Sequence, residues 1–296
     1  TVLGIFLPLS DYINVADRSD KLWIIEIPFV VASLLMTISA FVLFLTIKEN
    51  KVVGEMKDQL AEGERAAAIA DAVTDDGKMS KKNRNMLLAI LGAEALWFMA
   101  DNAIGTYIGN YVIYYLDSKS SATMILTIIG GLASVVGFAT AGYIADKIGR
   151  KWTVSSGLTL SFVALLLMTF VRPSAEIVGA NGEKAFPLIL YVVWIIKGYG
   201  MALVHNCSFP MVVELCSSKQ IGKFTGYYYA ASMSAQTLTP VLVGLILFRF
   251  KVWGALPVYA SVLLALSAAV FILLVKNIKA IKLANAKGLE ALDAED

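Results

Sequence analysis

Apolar residues along this chain gather into long runs instead of alternating with polar ones. The runs fall at 22–46, 86–116, 121–145, 152–171, 187–212, 224–248 and 256–275. Each is long enough to cross a membrane, because roughly 20 apolar residues in helix span a hydrocarbon core of about 30 Å. The pattern predicts an all-α polytopic membrane bundle of about seven helices. The first run carries Glu26 and Pro28 at its entry and is then free of charge from Phe29 to Leu45. The second is too long for a perpendicular crossing and is expected to tilt or project from the bilayer. The third contains Gly130, Gly131, Gly137 and Gly142, residues small enough to let neighbouring helices approach closely.

The polar stretches divide the chain. Residues 47–85 are the one long polar connection; Glu55 to Val73 is rich in Ala, Glu and Asp and suits a surface helix within a solvated linker. Residues 1–21 contain an apolar stub, Val2 to Pro8, too short to span, which reads as the end of a preceding helix. The tail 276–296 is basic first and acidic last. Seventeen of the 25 Lys and Arg residues lie on the side that holds 47–85 and the tail; seven lie on the other, and Lys197 falls within a run. An excess of Lys and Arg marks the cytoplasmic side. The C-terminus is therefore expected inside.

Composition agrees and excludes several classes of function. The chain is 58% hydrophobic and 16% charged, with a mean hydropathy of +0.70, whereas an ordinary soluble domain carries about 25% charged residues. The net charge of +2 and the lack of a basic, aromatic-interleaved patch give no sign of nucleic-acid binding. Cys207 and Cys216 lie in or beside one apolar run, so a disulfide framework is not expected. The sequence has no CxxC, HExxH, phosphate-binding Gly-rich loop or GxSxG elbow. No metal, cofactor or catalytic residue is expected, and the chain does not read as an enzyme.

One turn carries a motif. Gly142-Tyr-Ile-Ala-Asp146-Lys-Ile-Gly149-Arg150-Lys151 resembles the G-x-L-a-D-r-x-G-r-k signature of the major facilitator superfamily, with Ile144 in place of the usual Leu. Charge counting independently puts this turn on the cytoplasmic side. The resemblance implies a fold of twelve helices in two halves, each built of inverted three-helix repeats. The runs would then be helices 6 to 12, with 22–46 as helix 6, 47–85 as the central cytoplasmic loop and 86–275 as the C-terminal six-helix half. Within that superfamily, Gly222-Lys-Phe-Thr-Gly226-Tyr-Tyr-Tyr229, Gln236 and Pro240 are similar to the sugar–cation symporters, the glycoside–pentoside–hexuronide group and its sucrose-transporter-like relatives. The resemblance also implies that Arg150 pairs with an acid such as Glu214 at a cytoplasmic gate, and that Asp146 faces helix 5.

Ionisable groups inside a span cost several kcal/mol by insertion scales and usually face the bundle interior or a wet cavity. Glu94 and Asp101 lie seven residues apart on the second run, on one helical face. Lys197 and His205 lie on the fifth, again roughly aligned. By the resemblance, both helices line a central cavity. An unpaired Lys at such depth tends to lose its proton, so a nearby carboxylate is its expected partner, and Asp101 is the candidate. A fixed structural ion pair is the competing reading. Asn102, Asn110, Gln236, Thr237, Thr239 and Trp194 add amides, hydroxyls and a flat ring, which suit a polyhydroxylated ligand, although for Trp194 taken singly ordinary packing is the leading reading. Asn206-Cys207-Ser208 matches a glycosylation sequon but lies within a run and is set aside.

These expectations describe a secondary transporter of the cell membrane working by alternating access, taking a sugar-like small molecule with a cation, proton or sodium, as partner. A proton-coupled drug or metabolite antiporter on the same fold is one alternative; a non-transporting membrane scaffold or receptor is the other.

Overall fold

The computed structural model describes residues 23–46, 81–178, 182–214 and 221–275, with side chains described from 30 in the first stretch, from 84 in the second and to 213 in the third. The stub before residue 23, residues 47–80 of the central loop and the tail after 275 lie outside the described residues. The chain divides into two compact units, Thr1–Lys78 and Met79–Asp296. In the first, helix α1 (Trp23–Thr46) bears an apolar segment, Val30–Thr46, shorter than the other spans. Its large apolar side chains are exposed, from Val30 to Leu45.

Among the described residues the second unit holds α2 (Lys81–Tyr114), α3 (Ser121–Ile148), α4 (Arg150–Thr169), α5 (Ile189–Glu214), α6 (Ile221–Phe250) and α7 (Leu256–Leu274), with a 3₁₀ turn, Trp253–Ala255, before the last. All six helices are long and apolar enough to cross a membrane. Helix is the form these runs must take, since a spanning segment has to satisfy its backbone polar groups internally. The second run begins earlier than the hydropathy pattern predicts. The polar residues Lys81, Lys82, Asn83 and Arg84 continue the helix beyond the apolar stretch, so α2 has the excess length expected of it. The protein is an all-α, multi-pass membrane protein.

The helices pack by exchange. Helix α5 lies against α3 and α4, whereas α2 lies against α6 and α7. Each three-helix group thus lends its first helix to the other group, and α4 against α7 joins the two. The Ser267 hydroxyl on α7 donates to the Ala93 carbonyl on α2 at 2.8 Å. Glycines set the closest approaches. A Cβ on Gly198 of α5 would lie 2.5 Å from the Gly130 carbonyl oxygen of α3; one on Gly157 of α4 would lie 2.5 Å from the Gly200 carbonyl oxygen of α5. Gly137 meets Ala202 and Tyr199 in the same way. Gly131 and Gly142 have open space where a Cβ would stand, so the expectation that all four α3 glycines serve close packing holds for two of them.

Two connections are tightly built. Between α3 and α4, Gly149 has φ 86 and ψ 150, a conformation essentially reserved for glycine, and it turns the chain with no intervening loop. Between α4 and α5, the chain folds back through a bridge between Ile177 and Lys184. Lys184 then anchors it to the α2–α3 turn: its backbone N–H donates to the Asp117 carbonyl at 2.8 Å, its ammonium pairs with the Asp117 carboxylate at 2.7 Å, and its carbonyl accepts from the Ser118 hydroxyl at 3.0 Å.

Candidate functional site

Helices α2 and α5 run antiparallel, and their ionisable residues meet. The Lys197 ammonium lies 2.5 Å from an Asp101 carboxylate oxygen. Four residues away on α5, Met201 continues the face of Lys197, and one turn further His205 sets its imidazole edge-on to Trp97, with ring centroids 4.7 Å apart, and against Phe98 at 5.5 Å. Asp101, Lys197 and His205 line a single cavity of about 370 Å³, with Ser134 and Phe138 from α3 and with Gly198, Met201 and Ala202 from α5. That volume suits a small-molecule ligand. The pair is not sealed: the Lys197 and Asp101 side chains keep 13% and 24% of their surface exposed.

The other expected residues divide between this cavity and other roles. Trp194 is buried, with the edge of its indole seated over Gly130, and the Lys197 ammonium stands 5.3 Å from its ring centroid. Its contribution is therefore packing plus a cation–π contact. The Asn102 amide donates to the Phe98 carbonyl at 2.9 Å, one turn back on its own helix. Gln236 is half-buried and does not line the cavity wall. Its depth nevertheless matches. Tyr228 lies beside Glu94, and the Tyr107 hydroxyl donates to the Pro240 carbonyl at 2.6 Å, so α2 and α6 run parallel with Gln236 level with Asp101. Pro240 inside α6 has no N–H to give the Gln236 carbonyl, which leaves that backbone oxygen without its usual helical partner.

Glu94 stands apart from Asp101 despite sharing its helical face. It is fully buried and is absent from the cavity wall. The Tyr228 hydroxyl of α6 is beside it, and that hydroxyl lies 2.9 Å from the Ser208 hydroxyl of α5. Sequence reading did not single out Ser134, Phe138, Ser208 or Tyr228 as site residues. Serines in spanning helices commonly bond their own backbone, as Ser134 does to the Gly130 carbonyl at 2.9 Å, so spacing alone does not distinguish a lining serine from a packed one.

A sequence profile of the Major Facilitator Superfamily matches residues 86–292. The chain belongs to the major facilitator superfamily. Its members are membrane transporters that handle small molecules within the bilayer. Among curated proteins, none matches this facilitator. The signature residues occupy the α3–α4 turn. Gly149 supplies the positive φ; the Lys151 ammonium crosses to the last turn of α7 and donates to the Ile272 carbonyl at 3.0 Å; Lys147 stands over the Tyr143 ring at 4.4 Å. Cations near a helix C-terminus neutralise its unsatisfied carbonyls, so part of the motif fastens α4 to α7. Asp146 is exposed. Glu214 ends α5, and its expected pairing with Arg150 lies outside the described side chains.

Proposed function

We propose that this facilitator is a sugar or glycoside transporter driven by a cation, and that Asp101, Lys197, His205 and Trp194 form the part of its central site contributed by these helices. The observation that carries the reading is the Asp101–Lys197 pair on the wall of a cavity. A fully enclosed pair that serves structure alone must offset the desolvation of both charges with further hydrogen bonds, whereas this pair keeps part of its surface open to the cavity. A part-exposed pair on a cavity wall can exchange one partner for a ligand hydroxyl or an ion. The resemblance carried on α6 by Gly226, Gln236 and Pro240 supports sugar as the ligand class, as does a lining of carboxylate, ammonium, imidazole and hydroxyl groups. Glu94 and Asn102 belong to the same reading as neighbours of the site, and α2–α7 as the C-terminal six-helix half.

Binding is the direct test. Purified complete protein, heated with a panel of monosaccharides, disaccharides and methyl glycosides, is expected to be stabilised by at least one of them. A ligand at a hundred times its Kd contributes about 2.7 kcal/mol, roughly a 3–4 °C rise in Tm at about 2.1 cal/mol/K of unfolding entropy per residue. Stabilisation by hydrophobic cations or drug-like amines, with none by any saccharide, would replace this reading with the antiporter alternative.

We also infer that the α3–α4 turn and the C-terminal tail are cytoplasmic, on the Lys and Arg asymmetry. With single cysteines in a cysteine-free background, an impermeant maleimide is expected to label position 181 on intact cells and position 282 only after permeabilisation. The reverse order would invert the topology.

A further inference from the structure

Glu94 poses a problem that the cavity does not solve. Its side chain is fully buried, and the polar group beside its carboxyl is the Tyr228 hydroxyl, with no well-formed hydrogen bond to either carboxyl oxygen among the described residues. Asp101, seven residues along the same helix, has Lys197. Each element packed on α2 brings little charge to Glu94. From α6 comes the Tyr228 hydroxyl. From α5 comes Ser208, reached through Tyr228, while His205 and Lys197 line the cavity beside Asp101. The one titratable residue of α7 is Tyr259, and its Ser267 is committed to the Ala93 carbonyl. Helix α3 carries Tyr143, Asp146 and Lys147 only towards its end, all exposed. The 3₁₀ turn has no titratable residue. A carboxylate buried without a cation is costly, whereas a neutral carboxylic acid is tolerated.

We propose that Glu94 is the proton-binding site through which this transporter is coupled, with Tyr228 and Ser208 linking its occupancy to the packing of α2, α6 and α5. The proposal rests on the transporter reading above and supplies its coupling ion. The arrangement favours a proton over a metal cation because the groups at hand are one carboxyl and one phenol, with a serine behind them, among the buried Ile90, Ala93 and Trp97. A protonated Glu94 also supplies the donor that the cluster lacks: its O–H can donate to the Tyr228 oxygen while the Tyr228 O–H donates to Ser208. In each cycle the carboxylate takes one proton from one side and returns it to the other, so one positive charge moves with each neutral substrate. Loss of that proton leaves a bare carboxylate in an apolar contact between helices, a state that persists only when α5 or α6 shifts and admits water. The conformational change and the proton are thereby tied to one another.

The experiment needs no identified ligand. In the complete protein, with Cys207 and Cys216 replaced by Ser, the probe is a cysteine introduced at Phe138, an exposed residue of the cavity wall, and its rate of reaction with a small maleimide is measured against pH. The rate is corrected for the reagent's own pH dependence with an exposed cysteine at Tyr143. The parent is expected to show a corrected rate that changes with pH. Glu94→Gln, which mimics the protonated form, is expected to lose that change and hold the low-pH rate throughout. Glu94→Asp keeps a titrating carboxyl and is expected to keep a pH-dependent rate with a displaced midpoint. An infrared difference spectrum between high and low pH gives an independent readout: the carbonyl stretch that appears in the parent as a buried carboxyl takes up its proton is expected to be missing in Glu94→Gln and retained in Asp101→Asn. A Glu94→Gln variant with the parent's pH profile overturns the proposal, as does transfer of the lost pH dependence to His205→Gln. If Glu94→Gln behaves as expected while no saccharide stabilises the protein, the sugar assignment fails and the proton site stands.

Discussion

Replacing Asp101 with Asn, or Lys197 with Gln, is expected to abolish concentrative uptake by the complete protein while leaving its membrane expression largely intact. Each substitution removes one charge from the cavity wall and leaves its partner uncompensated. For a deeply buried pair, that costs about 3–5 kcal/mol and endangers the fold. Both side chains here retain exposure, so water screens the remaining charge and the structural cost is smaller. Under the proposed function the functional cost is not reduced in the same way, because exchange of the pair with a ligand or ion would require both members. Uptake of the saccharide identified by binding is therefore expected to fall by about a hundredfold or more, the equivalent of roughly 2.7 kcal/mol or above, beside a monodisperse protein of normal yield. Exchanging the two charges, Asp101→Lys with Lys197→Asp, is expected to preserve folding without restoring transport. Near-normal uptake in both single variants would remove the pair from the mechanism. Loss of expression in both would make it a structural ion pair.

The largest effect on stability is expected at the glycine contacts of α5. A Leu at position 198 puts its Cβ 2.5 Å from a backbone oxygen of α3, and a Leu at 157 does the same towards the backbone of α5. Overpacking by a flexible neighbour costs about 1–3 kcal/mol, but here the obstacle is backbone and the helices themselves must separate. Gly198→Leu and Gly157→Leu are expected to give no monodisperse peak in detergent chromatography. Gly131→Leu, on the same helix as Gly130 but facing open space, is expected to keep the parent's peak and to stay within a few degrees of its Tm. Equal behaviour of the 131 and 198 variants would show that these contacts do not govern the assembly.

The contrast between Gly130 and Gly131 also shows how far the sequence is legible. Hydropathy locates the spans because every stretch of chain that crosses lipid must hide its backbone, whatever its neighbours. It misses the polar first turn of α2, since the helix continues through Lys81 to Arg84 beyond the apolar run. The signature residues locate the α3–α4 turn because the conformation of Gly149 is a local requirement. What spacing does not provide is the identity of neighbours. Glu94 and Asp101 share a face of α2, but α5 brings Lys197 to one and α6 brings Tyr228 to the other. Trp194 offers a flat ring in the sequence, and packing over Gly130 uses its edge. These differences arise between helices, where no periodicity along one helix can register them.

The exchange of first helices between the two groups has a consequence for how the chain is made. Helices leave the ribosome in order, and α2, α3 and α4 enter the bilayer before α5, α6 and α7 exist. Because α2 packs on α6 and α7 while α5 packs on α3 and α4, the early trio has few contacts to form among its own members. At roughly 5–20 residues per second, synthesis of the later trio takes on the order of ten seconds. Throughout that interval α2 must hold Asp101 and Glu94 in the membrane before Lys197 and Tyr228 arrive. A chain stopped after α4 is thus a natural substrate for membrane quality control, and a chaperone that shelters α2 at the insertion machinery would act where this architecture is weakest.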